Sequence, residues 1–123
     1  MAKHKILVVD DDEAVLDFMQ AKLGARFALV CITAPEKTLA LARAERPHLI
    51  LCDIEMPGMD GGDISAAIYG DDELYDIPVL FLTALVSPDD LKIQQGQLGG
   101  RPAISKHAPV GELIARIESL IGQ

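Results

Sequence analysis

Leu49-Ile50-Leu51-Cys52-Asp53-Ile54-Glu55-Met56-Pro57-Gly58-Met59-Asp60-Gly61 is the stretch on which the reading of this chain turns. Four apolar residues deliver a carboxylate, Asp53, into a turn rich in proline and glycine. So short an apolar run, closed by Pro and Gly, reads as a buried strand ending in a loop. A carboxylate at the end of a buried strand costs desolvation energy unless a polar or charged group meets it. A second cluster of the same kind stands near the start, where Ile6-Leu7-Val8-Val9 runs into Asp10-Asp11-Asp12. If the two strands lie parallel and adjacent, their carboxylates converge. Anions that close coexist only when protonated or bridged by a divalent cation. Taken singly, either cluster would serve as a helix cap or a solvated loop, and Asp12, before Glu13-Ala14-Val15-Leu16, reads as an N-cap. Taken together, each at the carboxyl end of an apolar run, they mark the place where open α/β sheets bind ligands.

On either side of these runs, segments of strand length alternate with segments of helical period. Residues 6–10 read as the first strand, and 12–23 as a helix with Val15, Leu16, Met19 and Leu23 on one face, stopped at Gly24. A second strand, 27–33, carries the β-branched Val30, Ile32 and Thr33. Pro35 opens a helix to about Glu45, with proline in its first turn. A third strand, 48–52, follows Pro47. Helix 62–69 carries Ile64, Ala67 and Ile68. A fourth strand spans 78–82, and a helix over 88–95 is weakened by its polarity and by Gly96. A brief fifth strand, 103–105, leads to a last helix, 109–121, with Leu113, Ile114, Ile117, Leu120 and Ile121. Strict alternation with near-continuous apolar strands predicts an α/β fold whose parallel sheet is covered on both faces. Right-handed crossovers then favour a doubly wound five-stranded sheet of order 2-1-3-4-5, a flavodoxin-like (βα)5 arrangement. In that order strands one and three are neighbours at the switch point, and Asp10, Asp11 and Asp53 meet. One domain over 1–123, with its core at about 5–121, is the expected organisation.

Bulk properties narrow the function. Half of the 123 residues are apolar, enough for a buried core, and the 4% aromatic content makes that core aliphatic. A formal net charge of −8 argues against nucleic acid or an anionic membrane as partner. The longest apolar stretch, 77–86, is interrupted by Pro78 and Thr83 and falls short of the roughly 20 residues of a membrane span. Lys3-His4-Lys5 and four apolar residues are too short for a signal peptide. Cys31 and Cys52 read as buried free thiols of a reducing, cytoplasmic compartment. His4, His48 and His107 have no metal-ligand spacing, and His4 and His48 read as surface or strand-edge residues.

Four motifs in order carry a resemblance to the receiver domain of two-component response regulators, over essentially the whole chain. Val8-Val9-Asp10-Asp11 resembles the acidic pair after strand one. Asp53 with Met56-Pro57-Gly58-Met59-Asp60-Gly61 resembles the phosphoacceptor and its loop. Phe81-Leu82-Thr83-Ala84 matches the hydroxyl position after strand four, and Ile104-Ser105-Lys106 the lysine after strand five. The resemblance implies Mg²⁺-dependent transfer of a phosphoryl group to Asp53 from a phosphohistidine on a kinase or phosphotransfer protein, followed by a change read by a downstream protein. It implies Asp11 and Asp53 as direct metal ligands, Asp10 as a direct or water-mediated one, and the backbone carbonyl of Glu55 as a fourth. Mg²⁺ suits such hard oxygen ligands, with Mn²⁺ as the alternative. Lys106 and Thr83 would each contact a phosphoryl oxygen. Such a chain is a phosphoacceptor with intrinsic transfer and autodephosphorylation chemistry rather than an enzyme in the ordinary sense, and reads as a stand-alone receiver.

Three departures from the pattern stand out. His107 follows the lysine where proline is common, and a cis bond before a non-proline residue costs about 2.5–4 kcal/mol, so a trans bond and a shifted loop are expected. Ala103 occupies the position of the usual Tyr or Phe, which removes the aromatic switch. The helix after strand four is apolar-poor. Leu85, two residues past Thr83, would shield an acyl phosphate from water. Two other readings compete: a receiver-like interaction module working without phosphorylation, and a haloacid-dehalogenase-like phosphatase with Asp10 as nucleophile in Asp10-Asp11-Asp12.

Overall fold

The structure, a computed structural model, describes residues 3–56, 61–84, 87, 90, 96–98 and 100–122. In chain order the elements are β1 (Lys5–Val9), α1 (Glu13–Leu23), β2 (Ala28–Ile32), a single 3-10 turn (Pro35–Lys37), α2 (Thr38–Glu45), β3 (Leu49–Asp53), α3 (Gly61–Tyr69), β4 (Val79–Thr83), β5 (Gln97–Leu98), β6 (Arg101–Ser105) and α4 (Val110–Ile121). The sheet runs β2-β1-β3-β4-β6-β5, and all pairs but the last are parallel.

The five parallel strands stand in the order that the sequence predicts, with β6 in the fifth place. The predicted five-stranded sheet is corrected to six, because Gln97–Leu98 folds back on β6 as an antiparallel edge strand. A two-residue strand leaves no periodicity to detect. Its signal is the Gly99-Gly100 dipeptide, the composition of a two-residue hairpin turn. Gly100 has φ +79, a left-handed conformation that glycine enters without steric cost. The helix expected from Pro35 starts as a 3-10 turn, and α2 proper begins at Thr38, whose buried hydroxyl donates to the Pro35 carbonyl at 2.7 Å. The helix predicted over 88–95 falls outside the described residues apart from Asp90.

Alternation along the strands divides the core in two. Leu7, Val9, Ile50, Cys52, Val79 and Phe81 point to one face, where they pack with Ile64 and Ile68 of α3 and Ala42 of α2. Ile6, Val8, Leu49, Leu51, Leu80, Leu82 and Ile104 point to the other, against Leu16, Met19 and Leu23 of α1 and Leu113 and Ile117 of α4. Residues 6–9 and 49–52 are wholly inaccessible. Each such Leu or Ile contributes about 1.5–3 kcal/mol relative to exposure, so the two strands that end in carboxylates are firmly held. Arg116 of α4 ties the added hairpin down: its guanidinium donates to the Gly96 carbonyl at 2.6 Å and to the Ala103 carbonyl at 3.3 Å.

Candidate functional site

Register brings the acidic residues together. β1 and β3 pair Val8 with Leu51 and Val9 with Cys52, so the next step along both strands sets Asp10 beside Asp53. Both lie on the parity of Ile6, Val8, Leu49 and Leu51, the face covered by α1 and α4. Adjacent strands are about 4.8 Å apart, and carboxylate oxygens of Asp10, Asp11 and Asp53 all lie within 4.8 Å of one another. Asp10 and Asp53 are buried, 0% and 2% exposed, whereas Asp11 is exposed and opens the cluster to solvent. Lys106 continues the parity of Ile104 on β6 and enters from the opposite side. Its Nζ stands 3.1 Å from Asp10 Oδ2 and 3.3 Å from Asp53 Oδ2.

The hydrogen bonds fix these carboxylates only in part. Asp10 Oδ1 accepts from the Asp12 amide at 2.9 Å, and Asp53 Oδ1 from the Glu55 amide at 3.1 Å. Asp12 turns the other way, accepting from the Ala14 amide at 2.9 Å as the N-cap of α1. The Lys106–Asp10 approach is a charge contact rather than a directional bond, since Asp10 Oδ2 is buried without a well-oriented donor. Burial pushes the Asp53 carboxyl up to about 6. The Glu55 amide opposes this, the Asp10 charge adds to it, and Lys106 pulls it back. For Lys106, burial works against the charge, but its contacts with Asp10 and Asp53 outweigh that and hold the ammonium above its ordinary value.

The donor set fits a hard divalent cation. All three side chains offer oxygen, one oxygen of Asp10 is buried with Lys106 as its charge partner, and a carboxyl forced toward protonation is relieved by a nearby positive charge.

Thr83, at the end of β4, pairs with Ser105 across to β6, and its carbonyl accepts from the Lys106 amide at 2.8 Å, which locks the two strand ends to one level. Its hydroxyl donates to Glu55 Oε1 at 2.6 Å. The sequence reading gave Glu55 a backbone role alone and missed this side-chain contact. A carboxylate two residues past Asp53 was the available signal. After Lys106 the turn closes on buried Ser105, whose Oγ accepts from the His107 amide at 3.1 Å and whose carbonyl accepts from Ala108 at 3.0 Å. The peptide bonds here are trans, as expected for His107. Gly61 explains the tight return of α3 to the site: a Cβ there would stand 2.9 Å from the Asp53 carbonyl oxygen. Leu85 and the 57–60 loop lie outside the described residues.

Away from the site, His48 has a use that spacing could not show. It is exposed, and its Nδ1 accepts the Lys5 amide at 2.9 Å, which closes the amino end of the β1–β3 ladder. Cys52 is buried as expected, but Cys31 is only half-buried. Among the described residues no helix is long and apolar enough to cross a membrane.

Comparison with known proteins agrees with this arrangement. The family model for the response regulator receiver domain matches residues 6–118. The chain is 40% identical over 118 residues to the response regulator PleD of Caulobacter vibrioides, covering 94% of this chain and 26% of PleD. It is 33% identical over 119 residues to the polar-differentiation response regulator DivK of Brucella anthropi, covering 95% of each. It thus spans about a quarter of one relative and nearly all of the other. In structure it is similar to the receiver domain of the sensor histidine kinase PA1611 of Pseudomonas aeruginosa, described with a magnesium ion coordinated in its active-site cleft. That likeness has a TM-score of 0.82 at 22% identity and covers 99% of this chain and 100% of the other. With two buried strand-end carboxylates, an exposed third and a lysine closing on them, all inside the matched segment, the chain belongs to the response regulator receiver domain family.

Proposed function

We propose that this chain is a phosphoacceptor in a two-component relay, taking a phosphoryl group on Asp53 from a phosphohistidine donor. The observation that carries this reading is the convergence of Asp10, Asp11 and Asp53 within 4.8 Å beneath Lys106. In the transfer, an Asp53 carboxylate oxygen bonds to phosphorus, the P–N bond of the donor breaks, and its electron pair returns to the imidazole. Little covalent work falls to the protein, which positions the groups and stabilises charge. Asp53 must be ionised to attack, and with its carboxyl at about 6 it is largely so at neutral pH. Lys106, a mobile point charge already 3.3 Å from Asp53, would move with the transferred group's oxygens. Thr83 would donate its hydroxyl to another of them.

Asp10, Asp11, Asp53 and the Glu55 carbonyl would hold Mg²⁺, with Mn²⁺ able to replace it. The bound ion would neutralise the charge of two anions brought together. The magnesium in the PA1611 receiver supports this assignment. A histidine kinase or phosphotransfer protein would be the donor and a further protein the reader, in the cytoplasm, with neither nucleic acid nor membrane engaged by this chain. We take residues 1–123 as one receiver unit that acts as a signalling module rather than as a turnover enzyme. Membership of the receiver family leaves the Asp10 phosphatase reading without an observation in its favour.

Incubation with acetyl phosphate and Mg²⁺, followed by intact-mass measurement, tests the proposal. One added phosphoryl group, absent when the metal is chelated before the phosphodonor is added, is the expected result. An unchanged mass with acetyl phosphate and with phosphoramidate would overturn it.

A further inference from the structure

Thr83 has one hydroxyl proton to give, and in this structure it is given to Glu55. The 2.6 Å separation lies in the range of charge-assisted O–H···O⁻ bonds, which are about twice as strong as neutral ones. Glu55 itself is anchored by its amide, which donates to Asp53 Oδ1 at 3.1 Å, so its carboxylate reaches from the phosphoacceptor's own turn across to the end of β4. The same hydroxyl is the group that a phosphoryl oxygen on Asp53 would require. Two acceptors therefore compete for one proton, and one of them is already in place.

We propose that the Glu55 carboxylate is a latch on Thr83: it holds the hydroxyl away from Asp53 in the resting state and must release it before the phosphorylated state forms. The inference rests on Asp53 as phosphoacceptor and adds a positioning residue that acts through Thr83 rather than on phosphorus. The chemistry makes the exchange close to all-or-none. Once a phosphoryl group on Asp53 takes the Thr83 hydroxyl, the Glu55 carboxylate loses that donor and adds a like charge beside the phosphoryl group. Repulsion then drives Glu55 outward as Thr83 turns inward. A ligand shifts such an equilibrium only by its preference for one of the two states. The bond to Glu55 is thus a threshold that the phosphoryl group must exceed. Its removal should raise apparent affinity for a phosphoryl mimic by about tenfold, the equivalent of one charge-assisted hydrogen bond at a partly exposed site.

Beryllofluoride with Mg²⁺ serves as the mimic, titrated into the full chain as wild type, Glu55→Gln, Glu55→Ala, Thr83→Ala and the double variant Glu55→Ala/Thr83→Ala. Affinity should rise about tenfold in Glu55→Ala and by less in Glu55→Gln, whose amide oxygen still accepts but carries no charge. In the Thr83→Ala background there is no hydroxyl to hold, so the second substitution should have no effect. In the metal-free protein, Glu55→Ala should also speed amide exchange at Lys106, whose N–H is bonded to the Thr83 carbonyl. An equal gain from Glu55→Ala with and without Thr83 would show that Glu55 acts as a repelling charge alone and would overturn the latch. So would equal gains in the Gln and Ala variants. Failure of wild type itself to take the mimic, or equal uptake by Asp53→Asn, would overturn the phosphoacceptor reading and the latch with it.

Discussion

Replacing Asp53 by Asn should make the metal-free protein more stable, the opposite of the usual result of altering a buried, hydrogen-bonded residue. The Asp53 carboxyl ionises near 6 in the folded chain against an ordinary 3.8, chiefly because burial disfavours its charge. The folded state therefore binds this proton more tightly than the unfolded state does, and stability falls as pH rises from about 4 to about 6, where it levels off. At about 1.4 kcal/mol per pH unit the full penalty is roughly 3 kcal/mol. The site opens to solvent at exposed Asp11, and screening there reduces the net to about 1–2 kcal/mol. Urea unfolding of both proteins in chelator, from pH 4 to pH 8, measures it. Asp53→Asn should be the more stable by that amount at pH 7.5, and the two curves should meet near pH 4. Saturating Mg²⁺ should reverse the order by stabilising the wild type alone. A variant less stable than wild type at pH 7.5 without metal, or a difference that does not change with pH, would refute the reasoning.

Three further outcomes follow from the same geometry. Mg²⁺ at ten times its dissociation constant should stabilise the wild type by about 1.4 kcal/mol, seen as a rise in Tm, and Asp11→Ala should abolish that rise. Asp12→Ala should keep the full Mg²⁺ response while it loses about 1 kcal/mol of cap stability, measured by urea unfolding, because Asp12 faces α1 and not the cluster. Ile117→Ala, at a fully buried site where α4 meets the sheet, should cost about 2–5 kcal/mol in the same assay.

How far the residues alone reach is clear from where they succeed. Residues 49–52 and 6–9 are apolar on both faces, as the interior of a parallel sheet requires, and from that placement Asp10 meeting Asp53 follows by register. Asp12 as cap rather than ligand was readable too, because Glu13-Ala14-Val15-Leu16 begins a helical period at once. What escaped were contacts without a period. Gln97–Leu98 is too short to alternate, and its pairing depends on a turn at Gly100 and on Arg116 reaching over from α4. Cys31 is only half-buried because β2 is an edge strand, a fact of topology that its apolar neighbours conceal. The Glu55 side chain could be placed at the site by its spacing from Asp53, but its choice of Thr83 depends on how β3 and β4 end side by side.

The central claim is that Asp53, and not Asp10, carries the phosphoryl group. Borohydride reduction of the acetyl phosphate-treated, Mg²⁺-loaded protein converts an acyl-phosphorylated aspartate to homoserine, and peptide mass mapping then locates it. Homoserine at position 53, with the peptide that contains Asp10 unchanged, is the predicted result. Homoserine at position 10, or at neither position in a protein that has gained a phosphoryl group, would contradict the account.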